Sequence, residues 1–303
     1  MTDAPSHLPV LLAEVMERAA GAVRVVDGTL GHGGHAAAFL AAGATVLGID
    51  RDPDAVATAR ARLGDGVAIL QLPFFDPEAL RQVAAFRPDF VLLDLGVSSR
   101  QFDDATRGFT FREGAPLDMR MGPDAPTAAE WLAEVDDAEL ARVLRDYADE
   151  PRANRLAREL VRRRGNAPLA TSDDLVNAIR AVLGPRSGPG DFARIFQAVR
   201  IAVNDELDGL ATALPAFRDA LVPGGTLAVI SYHSGEDRVV KGAFRDWAAG
   251  CVCPPGLPRC ICGRVPLGIA QPRRAVVPSA AEIAANPRAR SARLRFFRTR
   301  DAG

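Results

Sequence analysis

Val23, Val25 and Val26 run into Asp27-Gly28-Thr29-Leu30-Gly31-His32-Gly33-Gly34-His35, and this stretch restricts the possible folds more than any other. An apolar run ending in an acid, a turn dense in glycine and the alanine-rich residues 36–42 read as strand, tight loop and helix. Glycine lets backbone come close to a ligand where a Cβ would intrude. Gly43 stops the helix, and residues 44–50 form a second buried strand that ends in a second acid, Asp50. The unit is βαβ, and a bland turn in an ordinary α/β domain is the competing reading.

The pattern repeats. Residues 67–71 read as a third strand, and residues 90–96 as a fourth, which carries Asp94. Ligands of open parallel sheets bind at the carboxyl ends of the strands, so Asp27, Asp50 and Asp94 are expected to share one site. An acid at the tip of the second strand can accept both ribose hydroxyls of an adenosine-type cofactor. The dinucleotide fingerprint G-x-G-x-x-G is absent, and an opening Asp27 would repel a pyrophosphate while pairing with a cationic amino group. S-adenosylmethionine has that amino group and no phosphate.

The 303 residues are 48% hydrophobic and 25% charged, which is ordinary globular composition. They suffice for one α/β domain and a smaller one. No apolar run approaches the ~18 residues of a membrane span, and residues 1–6 lack a signal-peptide pattern. A cytoplasmic protein with no membrane partner is expected. The net charge of −1, from 37 basic and 38 acidic residues, leaves nucleic-acid binding to local patches. Lys241 is the only lysine, so arginine by itself carries little information here.

Helices are expected around residues 14–20, from a cap at Asp54 to Arg62, and from Glu78 to Phe86. Residues 97–126 have little periodicity but interleave Phe, Met and Arg, which argues for a functional loop over disorder. Residues 127–190 read as helices alone. Thr127 and Asp136 are N-caps, Asp136 with Glu139 gives a capping box, and Thr171 or Ser172 starts a further helix. Arg152, Arg155, Arg158 and Arg162 fall on one helix face, either solvated or set against phosphates. One long helix is expected from Asp191 through Leu214. A fifth strand spans residues 226–230, and residues 273–277 and 292–298 are candidates for a closing antiparallel hairpin.

Several longer motifs resemble one family. They are Asp27-Gly28-Thr29 with Gly31 and Gly33-Gly34-His35, Leu93-Asp94-Leu95-Gly96-Val97-Ser98-Ser99, and Arg107-Gly108-Phe109. Others are Pro116-Leu117-Asp118-Met119-Arg120-Met121, Phe196-Gln197-Ala198-Val199-Arg200, Ser231-Tyr232-His233-Ser234 with Glu236-Asp237-Arg238, and Asn286-Pro287-Arg288-Ala289-Arg290-Ser291. Together they resemble the bacterial 16S ribosomal RNA cytosine-N4 methyltransferases, which act on a cytidine in the decoding region. The resemblance implies an α/β, Rossmann-like seven-stranded methyltransferase sheet with an inserted all-helical domain. It divides the chain into 1–106, an insert at 107–200, and 201–303. It also implies S-adenosylmethionine contacts at Gly33, Gly34, His35, Asp50, Phe74, Asp94 and Gln101, to which the strand-end reading adds Asp27. The implied partner is 16S rRNA within the small ribosomal subunit, and a homodimer stays open. Relatives commonly carry Phe where this chain has Tyr232.

Cytosine N4 is a poor nucleophile because its lone pair is delocalised into the ring. Methylating it calls for acceptors that hold the amino hydrogens, with the methyl donor in line. Many amino-methyltransferases use Asp/Asn-Pro-Pro-aromatic after the fourth strand, whereas this chain has Asp94-Leu95-Gly96-Val97. Asp94 therefore serves the cofactor, the target amine or both. Tyr232 and His233 are further catalytic candidates, with a structural role equally open for His233. Stacking of an extruded base falls to Phe102, Phe109, Phe111 or Tyr232, against core packing for each Phe. Cys251, Cys253, Cys260 and Cys262 sit in one short loop as two C-x-C pairs, either a tetrathiolate structural zinc site or reduced thiols. The same fold acting on another RNA, a protein or a small molecule is the alternative, and a non-catalytic ribosome-assembly binder is a third reading. All three strand-end acids favour an enzyme.

Overall fold

The structure, a computed structural model, describes residues 9–251, 253, 259 and 261–301. Two compact units make up the chain: Met1–Gly96 with Leu207–Gly303, and Val97–Glu206. Helix α1 (Leu12–Arg18) precedes β1 (Arg24–Asp27), α2 (Gly34–Ala41), β2 (Thr45–Ile49), α3 (Pro53–Leu63), β3 (Val67–Leu70), α4 (Pro77–Phe86) and β4 (Phe90–Asp94). Next come α5 (Ser99–Asp103), α6 (Ala128–Glu134), α7 (Asp137–Asp146), α8 (Ala153–Arg164), α9 (Ser172–Leu183) and α10 (Pro189–Val203). The chain ends with α11 (Glu206–Ala220), β5 (Thr226–Ser231), α12 (Ser234–Ala248), β6 (Gly268–Ala270), α13 (Ala280–Ala285) and β7 (Arg293–Thr299).

The first unit holds a seven-stranded sheet in the order β3-β2-β1-β4-β5-β7-β6. Strands β1 to β5 pair in parallel, and β7 runs antiparallel to both neighbours. Side chains of a strand alternate between faces, so each strand feeds two cores. Val25, Val46, Leu92 and Ile230 pack with Val15, Phe39 and Ala59 on one face. Val26, Leu47, Leu93 and Val229 pack with Val83, Leu214, Phe217 and Phe244 on the other. Strands buried on both sides read as continuous Val/Ile/Leu runs, which is how they stand out in the sequence. The expected α/β sheet of seven strands is present.

The second unit is helical around its own core, with Leu140, Leu144, Leu156, Leu160, Leu175, Ile179, Ile195 and Val199 at its centre. The expected insert ran from 107 to 200. The compact unit also takes in Val97, which packs against this core, and Asn204, whose side chain bonds to Met119 and Met121. Thr127 caps α6 in a capping box with Glu130, and the Asp136 carboxylate accepts the Glu139 amide at 2.8 Å.

Three local expectations are corrected. Asp52, not Asp54, caps α3: its carboxylate accepts the Asp54 amide at 3.0 Å, and Pro53 takes the first helical position. The single helix through Leu214 is two, because Asn204 and Asp205 part α10 from α11. Asp205 has φ +52°, and the buried Asn204 side chain bonds the Met121 amide at 2.8 Å and the carbonyls of Met119 and Arg200 at 2.8 and 2.9 Å. The strand beside β7 is β6 at residues 268–270; from the expected segment 273–277, Val276 forms only an isolated bridge to Leu294.

Candidate active site

Strand order reverses between β1 and β4, the switch point at which parallel sheets open a crevice. Asp27 ends β1, Asp94 ends β4, and Asp50 follows β2, so three neighbouring strands deliver carboxylates to one edge. Among the described residues none of the three forms an ion pair with Arg or Lys. Burial pushes the Asp27 carboxyl from 3.8 up to about 7; the Asp94 charge adds to the rise, and the Thr29 amide opposes it. Burial likewise raises Asp94 to about 7, against the Tyr232 hydrogen bond and with the help of Glu236. Asp50 is raised by burial, although its two oxygens accept the Gly31 and Asp52 amides at 2.7 and 2.9 Å. Those amides fix the plane of the Asp50 carboxylate and leave each oxygen a second lone pair. The Thr29 hydroxyl accepts the Asp94 amide at 2.6 Å, which ties the β1 loop to the end of β4.

Three aromatic side chains surround this acid edge. The Tyr232 hydroxyl donates to Asp94 Oδ1 at 2.8 Å. Burial and the Asp94 charge push this phenol well above 10, so it stays a donor. His35 is buried, with Nε2 at 3.1 Å from the Val10 carbonyl and Nδ1 at 3.8 Å from Asp94 Oδ2. Burial lowers His35 to about 4, so the ring is neutral and Nε2 carries its proton toward the carbonyl. The bare Nδ1 then faces Asp94, an arrangement that suits the protonated acid. His233 caps α12: its Nδ1 accepts the Gly235 and Glu236 amides at 3.2 and 3.4 Å. Glu236 returns the bond by accepting the His233 amide at 3.3 Å; it also accepts the Tyr232 amide at 2.7 Å and is only 2% exposed. Glu236 thus holds Tyr232 in place and loads Asp94 electrostatically, a role the sequence reading missed. The signal was there, as a Glu three positions after a possible cap at His233.

Conformation and packing also act on two glycines of the loop. A Cβ on Gly33 (φ +74°) would lie 2.7 Å from Leu63 Cδ1, and one on Gly34 2.7 Å from Pro9 Cγ. Gly33 lies in the left-handed region that favours glycine, and the Pro9 ring leaves little room for a Cβ on Gly34. Gly31 (φ +51°) has open space in its Cβ direction and is the place where backbone can approach a ligand. Phe74 is half-buried, with its ring 5.4 Å from Phe75 and 6.5 Å from Phe217. Gln101 lies in the helical unit, where its carbonyl oxygen accepts the Ser98 amide at 2.8 Å and closes a capping box.

Residues 4–300 match the model of the MraW methylase family. The chain belongs to that family. It is 61% identical over 299 residues to the ribosomal RNA small subunit methyltransferase H of Gemmatimonas aurantiaca, covering 97% of this chain and 95% of that one. It is 48% identical over 292 residues to the protein of the same name in Myxococcus xanthus, with 95% and 96% covered. The one in Heliobacterium modesticaldum is 47% identical over 305 residues, with 95% and 97% covered.

The aromatic candidates of this methylase divide by environment. Phe109 is buried in the helical core, and Phe111 packs edge-on against Phe192 and Phe196 at 5.9 and 6.0 Å. Phe102 is 43% exposed. The arginine face of α8 is partly consumed. Arg152 donates to the last carbonyls of α9, Val182 and Leu183, both at 3.1 Å, and Arg162 pairs with Glu159 at 2.8 Å. Of the C-terminal arginines, Arg295 is held by Asp237 at 2.7 Å and Arg298 by Asp301 at 2.7 Å. No helix among the described residues is long and apolar enough to cross a membrane.

Cys251, Cys253 and Cys262 bring their sulfurs within 4.8 Å of one another, while Cys260 lies outside the described residues. The Cys251 and Cys262 sulfurs are 3.8 Å apart. Two thiolates ~2.3 Å from a tetrahedral zinc would be ~3.8 Å apart. The Cys253 amide points at Cys251 Sγ (3.4 Å) and the Ile261 amide at Cys253 Sγ (3.3 Å), and the latter bond lowers the Cys253 thiol. Such amides favour the thiolate a metal needs.

Proposed function

We propose that this chain transfers a methyl group from S-adenosylmethionine to the exocyclic N4 of a cytidine in the decoding region of 16S ribosomal RNA, presented in the cytoplasm within the small ribosomal subunit. Its membership of the MraW methylase family and the names of its relatives support the RNA substrate. The observation that carries the chemistry is the Tyr232–Asp94 hydrogen bond at an acid edge whose three carboxyls are all raised by burial. Two buried acids raised to about 7 suit a ligand that is itself cationic. Asp27 and Asp94 would face its ammonium group and Asp50 its ribose hydroxyls, with the Gly31 backbone and Phe74 beside it and Gly33, Gly34 and His35 shaping the loop.

S-adenosylmethionine supplies an electrophilic methyl group on a sulfonium centre. The Asp94 carboxylate accepts a hydrogen bond from the N4 amino group, which localises electron density on nitrogen. As N4 bonds to the methyl carbon, the carbon–sulfur bond breaks and S-adenosylhomocysteine would leave as a neutral thioether, while N4 gives up one proton to Asp94. A carboxyl raised toward 7 is a better proton acceptor than an ordinary aspartate. Tyr232 holds Asp94 through Oδ1 and offers its ring to the base. His233 acts at one remove, by capping the helix that follows Tyr232.

Cys251, Cys253 and Cys262, with Cys260 as the fourth thiolate, hold a structural zinc in this reading. Purified chain from zinc-replete cells should then carry about one metal, and chelation should expose thiols without changing cofactor affinity. Metal-free protein by elemental analysis would remove the zinc and leave the enzyme reading intact. For the activity itself, methyl-labelled S-adenosylmethionine is supplied with small subunits, naked 16S RNA, ribosomal proteins or small-molecule amines. Label in the RNA of assembled subunits supports the proposal; label in protein or small molecules favours the alternative substrate class.

A further inference from the structure

A cavity of about 620 Å3 opens beside Tyr232 within the first unit. Ser234, Arg238 and Lys241 line it from α12, and Arg290, Ser291 and Arg293 from the segment that enters β7. Among the described residues, none of these four cations pairs with a carboxylate. Asp237, the acid of the lining, is already neutralised by Arg295 at 2.7 and 3.2 Å. Arginines elsewhere on this nearly neutral chain are commonly paired: Arg81, Arg145, Arg245 and Arg298 each hold a neighbouring acid. Four cations left facing one concavity repel one another unless an anion fills it.

The amino terminus of α12 does not make this site. Its Gly235 and Glu236 amides serve His233 Nδ1, and the Asp237 amide serves the His233 carbonyl. The side chains do. Three guanidiniums, a point-charge ammonium and two hydroxyls suit phosphate oxygens of an extended backbone. The volume exceeds what one phosphate needs. Tyr232 belongs to the cavity wall and also touches Asp94, so a backbone seated here brings the adjoining base to the acid edge.

We propose that this cavity seats the RNA phosphates that flank the target cytidine, with Arg238, Lys241, Arg290 and Arg293 as the binding residues. The inference rests on the RNA reading above and sharpens it to four side chains. Arg295 is excluded by its bond to Asp237.

The test compares Arg238→Gln/Lys241→Gln/Arg290→Gln/Arg293→Gln with a charge-matched control, Arg81→Gln/Arg145→Gln/Arg245→Gln/Arg298→Gln, both in the full chain. Circular dichroism and calorimetric S-adenosylmethionine affinity verify the fold; if the fourfold variant does not fold, the pair Lys241→Gln/Arg290→Gln replaces it. The cavity variant should raise KM for small subunits about tenfold or more with kcat changed less than about threefold. It should also flatten the slope of log affinity against log salt by about 3, near 0.7–0.9 for each lost phosphate contact. The control should do neither. Wild-type KM and slope in the cavity variant, or equal losses in the control, would overturn the seat. Binding of a single-stranded oligoribonucleotide is measured alongside. If wild-type chain fails to methylate subunits but binds this RNA in a way the four substitutions abolish, the seat stands and the substrate reading falls. RNA binding indifferent to them removes the seat.

Discussion

The Tyr232 hydroxyl and the Asp94 carboxylate meet at 2.8 Å, 138 positions apart in the chain, because β4 and β5 are neighbours and both residues sit at their carboxyl ends. The bond stabilises the ionised form of an acid that burial otherwise pushes toward neutrality. Tyr232→Phe keeps the ring and removes that support. The acid limb of kcat/KM, which reports the free enzyme, should then move up by about one to two pH units, since a hydrogen bond to a charged group is worth ~1.5–3 kcal/mol and 1.36 kcal/mol is one unit. An unmoved limb would mean that Asp94 is not the titrating group.

Stability should fall as pH rises. Asp27 and Asp94 titrate near 7 when folded and near 3.8 when unfolded, so the folded chain holds protons the unfolded chain has lost. The stability this brings is complete below about pH 4 and is lost as pH climbs through 7. Asp27→Asn should therefore raise the Tm at pH 8 by several degrees, each kcal/mol counting for ~2–4 °C, and change it little at pH 4. A cationic ligand should reverse the trend, with S-adenosylmethionine binding releasing protons near pH 6. Calorimetry in buffers of different ionisation enthalpy reads that release directly.

Asp50→Asn keeps an acceptor for one of the amides that orient this side chain and removes its charge. Affinity for S-adenosylmethionine should drop about tenfold or more, from the ~1.5–3 kcal/mol of a charged hydrogen bond. Unchanged affinity would detach Asp50 from the ribose.

Asn204→Ala should cost about 2–4 kcal/mol, because it strands the Met121 amide and the Met119 carbonyl together, while the Arg200 carbonyl keeps the backbone amide of position 204. Denaturant unfolding followed by near-ultraviolet signals of the helical unit would register the loss.

The sheet and its three acids were legible because buried parallel strands spell continuous apolar runs, and an acid closing such a run stands out. Asn204 was not legible. Its neighbours Val203 and Leu207 continue the helical spacing, and only its bonds to a loop more than eighty positions earlier make it a break. β6 has three residues, too few for a periodic signal, and owes its place to β7. The left-handed backbone at Gly33 and the Pro9 ring against Gly34 add reasons for glycine that the sequence does not show. Which arginines are free was equally hidden, since ion pairing such as that of Arg295 with Asp237 depends on a separation of 58 positions.

The central claim is that the acid edge around Asp94 methylates the N4 of one cytidine. Small subunits lacking the modification are incubated with S-adenosylmethionine and either wild-type chain or Asp94→Asn, and the RNA is digested and read by position-resolved nucleoside mass spectrometry. The expected result is one N4-methylcytidine in the decoding region with wild-type chain, and a loss of ~100-fold or more in its rate with Asp94→Asn. A 5-methylcytidine, a methyl group elsewhere in the RNA, or full activity in Asp94→Asn would contradict it.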